Sequence, residues 1–208
     1  MKIIKTYVLS EKTLEKDIDK FIRELKRGVY QWDYKSGMQG LKIIKAYFRM
    51  IQDEFDKQNY EISRICYKKI LFILMQREYD YLNYEDIMSK FNSEKTVCNY
   101  FRCLIKLCSI EELYKEYLEY LEVLEDYSFE SADRIIIKEM PKKDFQTFLE
   151  MVRRGAENLK GKDYEKHGLI YFLLEVAKFN EDRKGYDQLC DRYEQIIGDM
   201  REEFDEKG

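Results

Sequence analysis

A chain of 208 residues that is 38% charged and 45% hydrophobic has enough apolar material for a core, which excludes a disordered or low-complexity polymer. With 9 Gly, 1 Pro and 4 Ala against 18 Tyr and 12 Phe, it lacks the turn residues that a many-stranded sheet consumes, so a helical fold is expected. Lys+Arg 37 against Asp+Glu 41 leaves a net charge of −4, which excludes bulk attraction to nucleic acid or an anionic membrane and confines any such contact to a local patch.

Apolar residues recur at helical spacing along most of the chain. Ser10 is placed to cap a first helix whose stripe is Leu14, Ile18, Phe21, Ile22 and Leu25, and Gly28 ends it. An aromatic connector, residues 30–34, follows. A second helix carries Gly37, Leu41, Ile44, Phe48, Ile51 and Phe55, an alternation of fours and threes. Charged residues 56–59 turn the chain. Ile62, Ile65, Cys66, Ile70, Ile73 and Leu74 predict a third helix, apolar on more than one side near 70–75 and therefore central. A short fourth helix is predicted at 83–91, and Ser93 opens a fifth with Val97, Phe101, Leu104 and Cys108. Ser109 and Glu112 have the spacing of a capping box, in which hydroxyl and carboxylate satisfy each other's backbone N–H, starting a sixth helix through Leu124. Further helices are predicted at about 129–139, 142–158, 163–179 and 184–205, the second of these directly after Pro141.

The linkers are short and charged, with no Gly/Ser-rich hinge. The expected architecture is therefore all-α, about nine or ten helices in antiparallel hairpins. It forms either an irregular α-solenoid, resembling tetratricopeptide arrays in architecture only, or a helical bundle. Residues 1–208 read as one domain, with any subdivision near 127–141. A faint repeat supports the array: Asp33-Tyr34 precedes Tyr60, Tyr67 and Ile70 much as Asp163-Tyr164 precedes Tyr186, Tyr193 and Ile196. The tetratricopeptide consensus itself is absent, because four alanines cannot supply its small crossing residues.

Catalytic and metal chemistry is sparse. His167 is the single histidine, so a di-iron bundle site or a zinc-hydrolase pattern is excluded, and its place beside Gly168 reads as a packed or half-exposed residue. Cys98, Cys103 and Cys108 recur every five residues, about 140° apart each step, so their sulfurs diverge and read as small apolar fillers. Five scattered cysteines suit a reducing, cytoplasmic compartment. No stretch approaches the roughly 18–20 uncharged residues of a membrane span, and the first ten residues are too interrupted for a signal peptide. Gly37 and Gly40 make only a G-x-x-G inside a helical pattern, which reads as a close helix crossing. No cofactor or metal is expected.

Two surfaces could contact a protein partner. Tyr30, Trp32 and Tyr34 offer large, rigid, amphipathic area. Glu112, Glu116 and Glu119 share a helix face at spacings of four and three, the bland alternative being a solvated outer face. Residues 84–104 resemble a bacterial helix-turn-helix. The resemblance implies Ile87, Phe91, Val97 and Phe101 as buried positions and Lys95, Thr96, Asn99 and Arg102 in the major groove, with Lys90 and Lys106 near phosphates. The turn is one residue short, the acidic sixth helix would repel DNA, and two ordinary array helices with a Ser93 cap explain the same letters. The expectation is a non-catalytic protein–protein interaction module, such as an accessory or inhibitor protein of a low-GC bacterium or its phage, a source suggested by the Lys, Ile, Tyr and Asn surplus. A DNA-binding regulator using residues 84–107 and an enzyme of unrecognised type are the alternatives.

Overall fold

A computed structural model describes residues 7–75, 93–124, 130–159 and 167–205. Among these residues there are nine α-helices and no strand, in line with the all-α expectation. They are α1 (Leu14–Lys26), α2 (Tyr34–Asp56), α3 (Tyr60–Met75), α4 (Ser93–Leu107), α5 (Ile110–Leu124), α6 (Glu130–Glu139), α7 (Lys142–Glu157), α8 (Gly168–Phe179) and α9 (Arg183–Ile197). A 3-10 turn at Arg201–Asp205 follows α9. The helix expected at 83–91 and the start of the one expected at 163–179 lie outside the described residues. The helices group into two compact units, residues 1–107 and 108–208.

In the first unit α3 packs against α1, α2 and α4. It can do so because it is apolar all round at its C-terminal end: Ile70, Leu71, Ile73, Leu74 and Met75 are all buried. Its N-terminal half is different. Ser63, Cys66 and Tyr67 face inward, while Ile62 and Ile65, assigned to the stripe from sequence, are exposed. Lys69 ties α3 to α1 by donating to Glu15 at 2.8 Å and Asp19 at 2.7 Å.

The start of α1 departs from expectation. Thr13, not Ser10, is the cap, its hydroxyl accepting from Lys16 N–H at 3.4 Å. Ser10 instead belongs to a strap, residues 7–11, held on the buried Asp17 carboxylate. That carboxylate accepts from the Ser10 N–H and hydroxyl (3.1 Å each), the Glu11 N–H and the Tyr7 hydroxyl (2.9 Å). Burial alone would raise the Asp17 pKa, but these donors outweigh it and hold the carboxyl below its ordinary value. Because the Tyr7 proton goes to Asp17, Tyr47 shares its single proton between the Tyr7 hydroxyl (2.8 Å) and the Asp17 carbonyl (3.2 Å).

In the second unit α8 is central, packing against α6, α7 and α9. Leu169, Ile170, Phe172, Leu173, Leu174, Val176 and Ala177 bury it on every side. Tyr117, Phe148 and Phe172 meet edge-to-face with ring centroids 5.5 to 5.7 Å apart, and the buried Tyr117 hydroxyl donates to Asp133 at 2.8 Å. The helices approach closely where residues are smallest. A Cβ on Gly168 would meet Leu121 at 2.6 Å, and one on Gly155 would strike the Tyr114 hydroxyl and Leu169. Three of the four alanines, Ala132, Ala156 and Ala177, are buried in this unit as well.

The helix expected at 184–205 breaks at Gly198, whose φ of 77° a side chain would resist, so α9 ends at Ile197 and the chain turns into the 3-10 segment. Tyr186 holds that segment back on α9, donating to the Met200 carbonyl at 2.9 Å and packing on Phe204. The pairs suggested by tyrosine spacing match only in part: Tyr67 and Tyr193 are both buried, but Tyr60 opens the central α3 half-exposed, whereas Tyr186 lies fully buried on the flanking α9. Asp163 and Tyr164 lie outside the described residues.

Candidate functional site

The surface best suited to a partner is built around the connector between α1 and α2. Backbone bonds from Val29 N–H to the Glu24 carbonyl and from Gln31 N–H to Gly28 fold the connector back on the end of α1. This delivers Tyr30 into the core. It is only 5% exposed, with its ring 5.0 Å from Phe21 and its hydroxyl donating to Glu24 at 2.7 Å. Burial first, and the Glu24 carboxylate second, push the phenol far above its ordinary range, so Tyr30 stays protonated and structural.

Its two neighbours do the opposite. Trp32 is 84% exposed and Tyr34 71%. The cause is Asp33, which takes an extended backbone (φ −160°, ψ 173°) as the cap of α2. Its carboxylate accepts from Ser36 N–H at 2.7 Å, and the Ser36 hydroxyl accepts from Asp33 N–H at 3.0 Å. The Ser36 N–H, together with the Ser36 hydroxyl donating to the same carboxylate at 2.9 Å, keeps the Asp33 carboxyl below its ordinary value. A rigid cap thus fixes where the chain enters α2 while Tyr30 and Phe21 already occupy the adjoining core. Val29 is also exposed, so three apolar side chains stand in solvent within six residues of chain.

Sequence reasoning did not single out the adjoining face of α2. Lys35, Lys42 and Arg49 are exposed at sevenfold spacing, and residues 34–52 contain no Asp or Glu. The signal was available in that spacing and in the missing acids, but the chain's overall acidity concealed it.

The acidic trio of α5 does not form one solvent face. Glu112 is exposed and engaged in the expected capping box, accepting from Ser109 N–H at 2.9 Å while its own N–H donates to the Ser109 hydroxyl at 3.2 Å. Glu116 is only 8% exposed, because it lies on the same stripe as the buried Leu113, Tyr117 and Tyr120. Glu119 is half-buried.

The four residues assigned to a major groove are likewise split. Lys95 is exposed and Arg102 half-exposed, but Thr96 and Asn99 are buried. Asn99, 1% exposed, donates to Gln52 of α2 at 2.8 Å and accepts from Arg102 at 3.1 Å. It serves as a polar pin between helices, out of reach of a base edge. Lys106 sits over the Tyr60 ring at 5.1 Å. Ile87, Lys90 and Phe91 lie outside the described residues.

Cavities add little chemistry. One, about 540 Å³ among α7, α8 and α9, is lined by Leu149, Arg153, Glu157, Leu173, Arg192 and Tyr193, among others. Its acids already have structural tasks: Glu157 pairs with Arg192 at 3.4 Å, and Asp182 caps α9 by accepting from Gly185 N–H at 2.9 Å. His167 is half-buried at the residue preceding α8. Among the described residues no group of three His, Cys, Asp or Glu could hold a metal ion. All five cysteines are free thiols, and burial pushes Cys66 up to about 12, which makes it inert. No helix among the described residues is long and apolar enough to cross a membrane. Comparison with known proteins found no matching protein family, no matching curated protein and no matching solved structure.

Proposed function

We propose that this chain is a non-catalytic protein-interaction module, an accessory or inhibitor protein of the cytoplasm, whose contact is anchored by Trp32 and Tyr34. The observation that carries the reading is their exposure of 84% and 71% on a connector whose backbone is fixed on both sides. A Trp buries roughly 150–250 Å² when covered, worth about 4–6 kcal/mol before association costs, and such aromatics dominate interface energetics. Because the capping box already orders the chain entering α2, a partner would lose little entropy in fixing these rings. Five free thiols, four of them buried, are compatible with a reducing compartment.

The helix-turn-helix reading is not adopted, since Asn99 and Thr96 are spent on packing. The test is affinity capture from the lysate of a low-GC bacterium with the full chain and with its Trp32→Ala/Tyr34→Ala variant. Proteins enriched by the first and lost by the second support the module. An identical set from both, or a demonstrated turnover, rejects it.

A further inference from the structure

We propose that the solvent face of α2, which begins at Lys35 directly after Trp32 and Tyr34 in the chain, docks an acidic α-helix of a protein partner. This rests on the interaction reading above and names the partner's chemistry.

The apolar face of α2, Leu41, Ile44, Phe48 and Ile51, is buried in the first unit. Opposite it, Lys35, Lys42 and Arg49 project into solvent. Seven residues on a helix return to nearly the same direction, with a drift of about 20°, so the three cations follow one line about 21 Å long. None of them makes an ion pair with the described residues. Flanking this line, Gln39 is exposed and Met38, Lys45 and Ala46 are half-buried, so the one charged neighbour has the same sign.

Exposed acids bound the strip at each end, Asp33 before it and Asp53 and Asp56 after it, while Glu54 is spent on Lys57 at 2.8 Å. A basic window with acidic margins, on a chain of net charge −4, selects the length of its ligand as well as the sign. A helix of about four to five turns carrying Glu or Asp at matching sevenfold spacing would meet the cations one by one and end before the margins. A duplex presents one charge per about 1.7 Å, roughly twelve over the strip, and then runs on into the acids. Three phosphate contacts also fall short of the roughly six to ten that typical nucleic-acid binders make. An acidic helix therefore fits better than a polyanion or an anionic bilayer.

The test uses the full chain and a fluorescein-labelled, alanine-based helical peptide of about 18 residues with Glu along one face. Its controls are a Gln-for-Glu twin, a single-stranded oligothymidylate and phosphatidylserine vesicles. The expected result is anisotropy-detected binding of the Glu peptide that weakens about tenfold or more in Lys35→Glu/Lys42→Glu/Arg49→Glu and falls steeply with added salt. Trp32, the single tryptophan, should shift its emission to the blue as the peptide binds. The proposal is overturned by absent binding, by equal binding of the Gln twin or to the reversed variant, by a Trp32 emission that does not move, or by tighter binding of the oligonucleotide or vesicles. If the peptide fails while Trp32-dependent capture persists, only the acidic-helix assignment falls; loss of that capture removes the interaction reading itself.

Discussion

Removing the Asp17 carboxylate should detach the strap, residues 7–11, from the first unit. Four donors converge on it: the Ser10 N–H, the Ser10 hydroxyl, the Glu11 N–H and the Tyr7 hydroxyl. A hydrogen bond to a charged acceptor contributes about 1.5–3 kcal/mol net, but these bonds are part-buried and water can replace several of them once the strap lifts. The four are also one unit and do not add. Asp17→Ala should therefore cost about 2–4 kcal/mol, with Asp17→Asn in between because one amide oxygen still accepts. Urea unfolding followed by far-UV circular dichroism reads the loss of helix that detaching the strap brings nearer. The sign of the pH dependence follows from the depressed pKa. The unfolded chain binds the proton first, so the contribution is present above the ordinary carboxyl pKa of 3.8 and is lost as pH falls through the lower folded value. The gap between wild type and Asp17→Asn should narrow on acidification below about pH 4. An Asp17→Ala variant within about 0.5 kcal/mol of wild type, or a gap that widens in acid, would refute the reasoning.

Asn99→Ala should destabilise by about 1–2 kcal/mol, since it removes the part-buried bond to Gln52, and thermal or urea unfolding will show whether its role is structural. Tyr117→Phe should cost about 2 kcal/mol in urea unfolding by leaving the buried Asp133 oxygen without that donor. Gly155→Ala gains helix propensity but pushes a methyl against Leu169 and the Tyr114 hydroxyl, so a net loss of about 1–2 kcal/mol is expected from calorimetry. Trp32→Ala should leave stability within about 0.5 kcal/mol of wild type, because so exposed a ring contributes little to the core.

The tyrosine surplus illustrates what composition can and cannot resolve. It left a choice between packing and binding, and the structure divides the residues between the two. Tyr47, Tyr67, Tyr100, Tyr117, Tyr120 and Tyr186 are among the largest fully buried side chains, while Tyr34 is turned out. Tyr30 and Tyr34 are four residues apart on one connector and have opposite fates. Periodicity could not separate them, because a connector has none, and the decision rests on the Glu24 and Asp33 hydrogen bonds. The acidic trio fails as a surface for a related reason. Glu112, Glu116 and Glu119 share a face by spacing, but where that face ends and the core begins depends on which helices pack against α5.

The alanine count was a better guide than it first looked. Too few small residues for a regular repeat still suffice for the second unit, which spends Ala132, Ala156, Ala177, Gly155 and Gly168 in its interior. The central position of α3 was legible because a helix apolar on several sides must be covered on several sides. The true cap at Thr13 was not, since Ser10 is an equally good capping residue and loses only because Asp17 captures it from the next turn.

By itself the sequence determined the helical class, the position of most helices, the capping box at Ser109, and the absence of the patterns expected of a di-iron bundle or a zinc hydrolase. These depend on local backbone chemistry and on periodicities of three to four residues, both written in neighbouring letters. Tertiary structure alone decided which polar residues are pins and which aromatics are surface. Burial depends on partners distant in the chain, such as Gln52 for Asn99, 47 residues away. The face of α2 belongs to both levels: its charges are plain in the letters, and only the packing of its opposite side turns them into a surface.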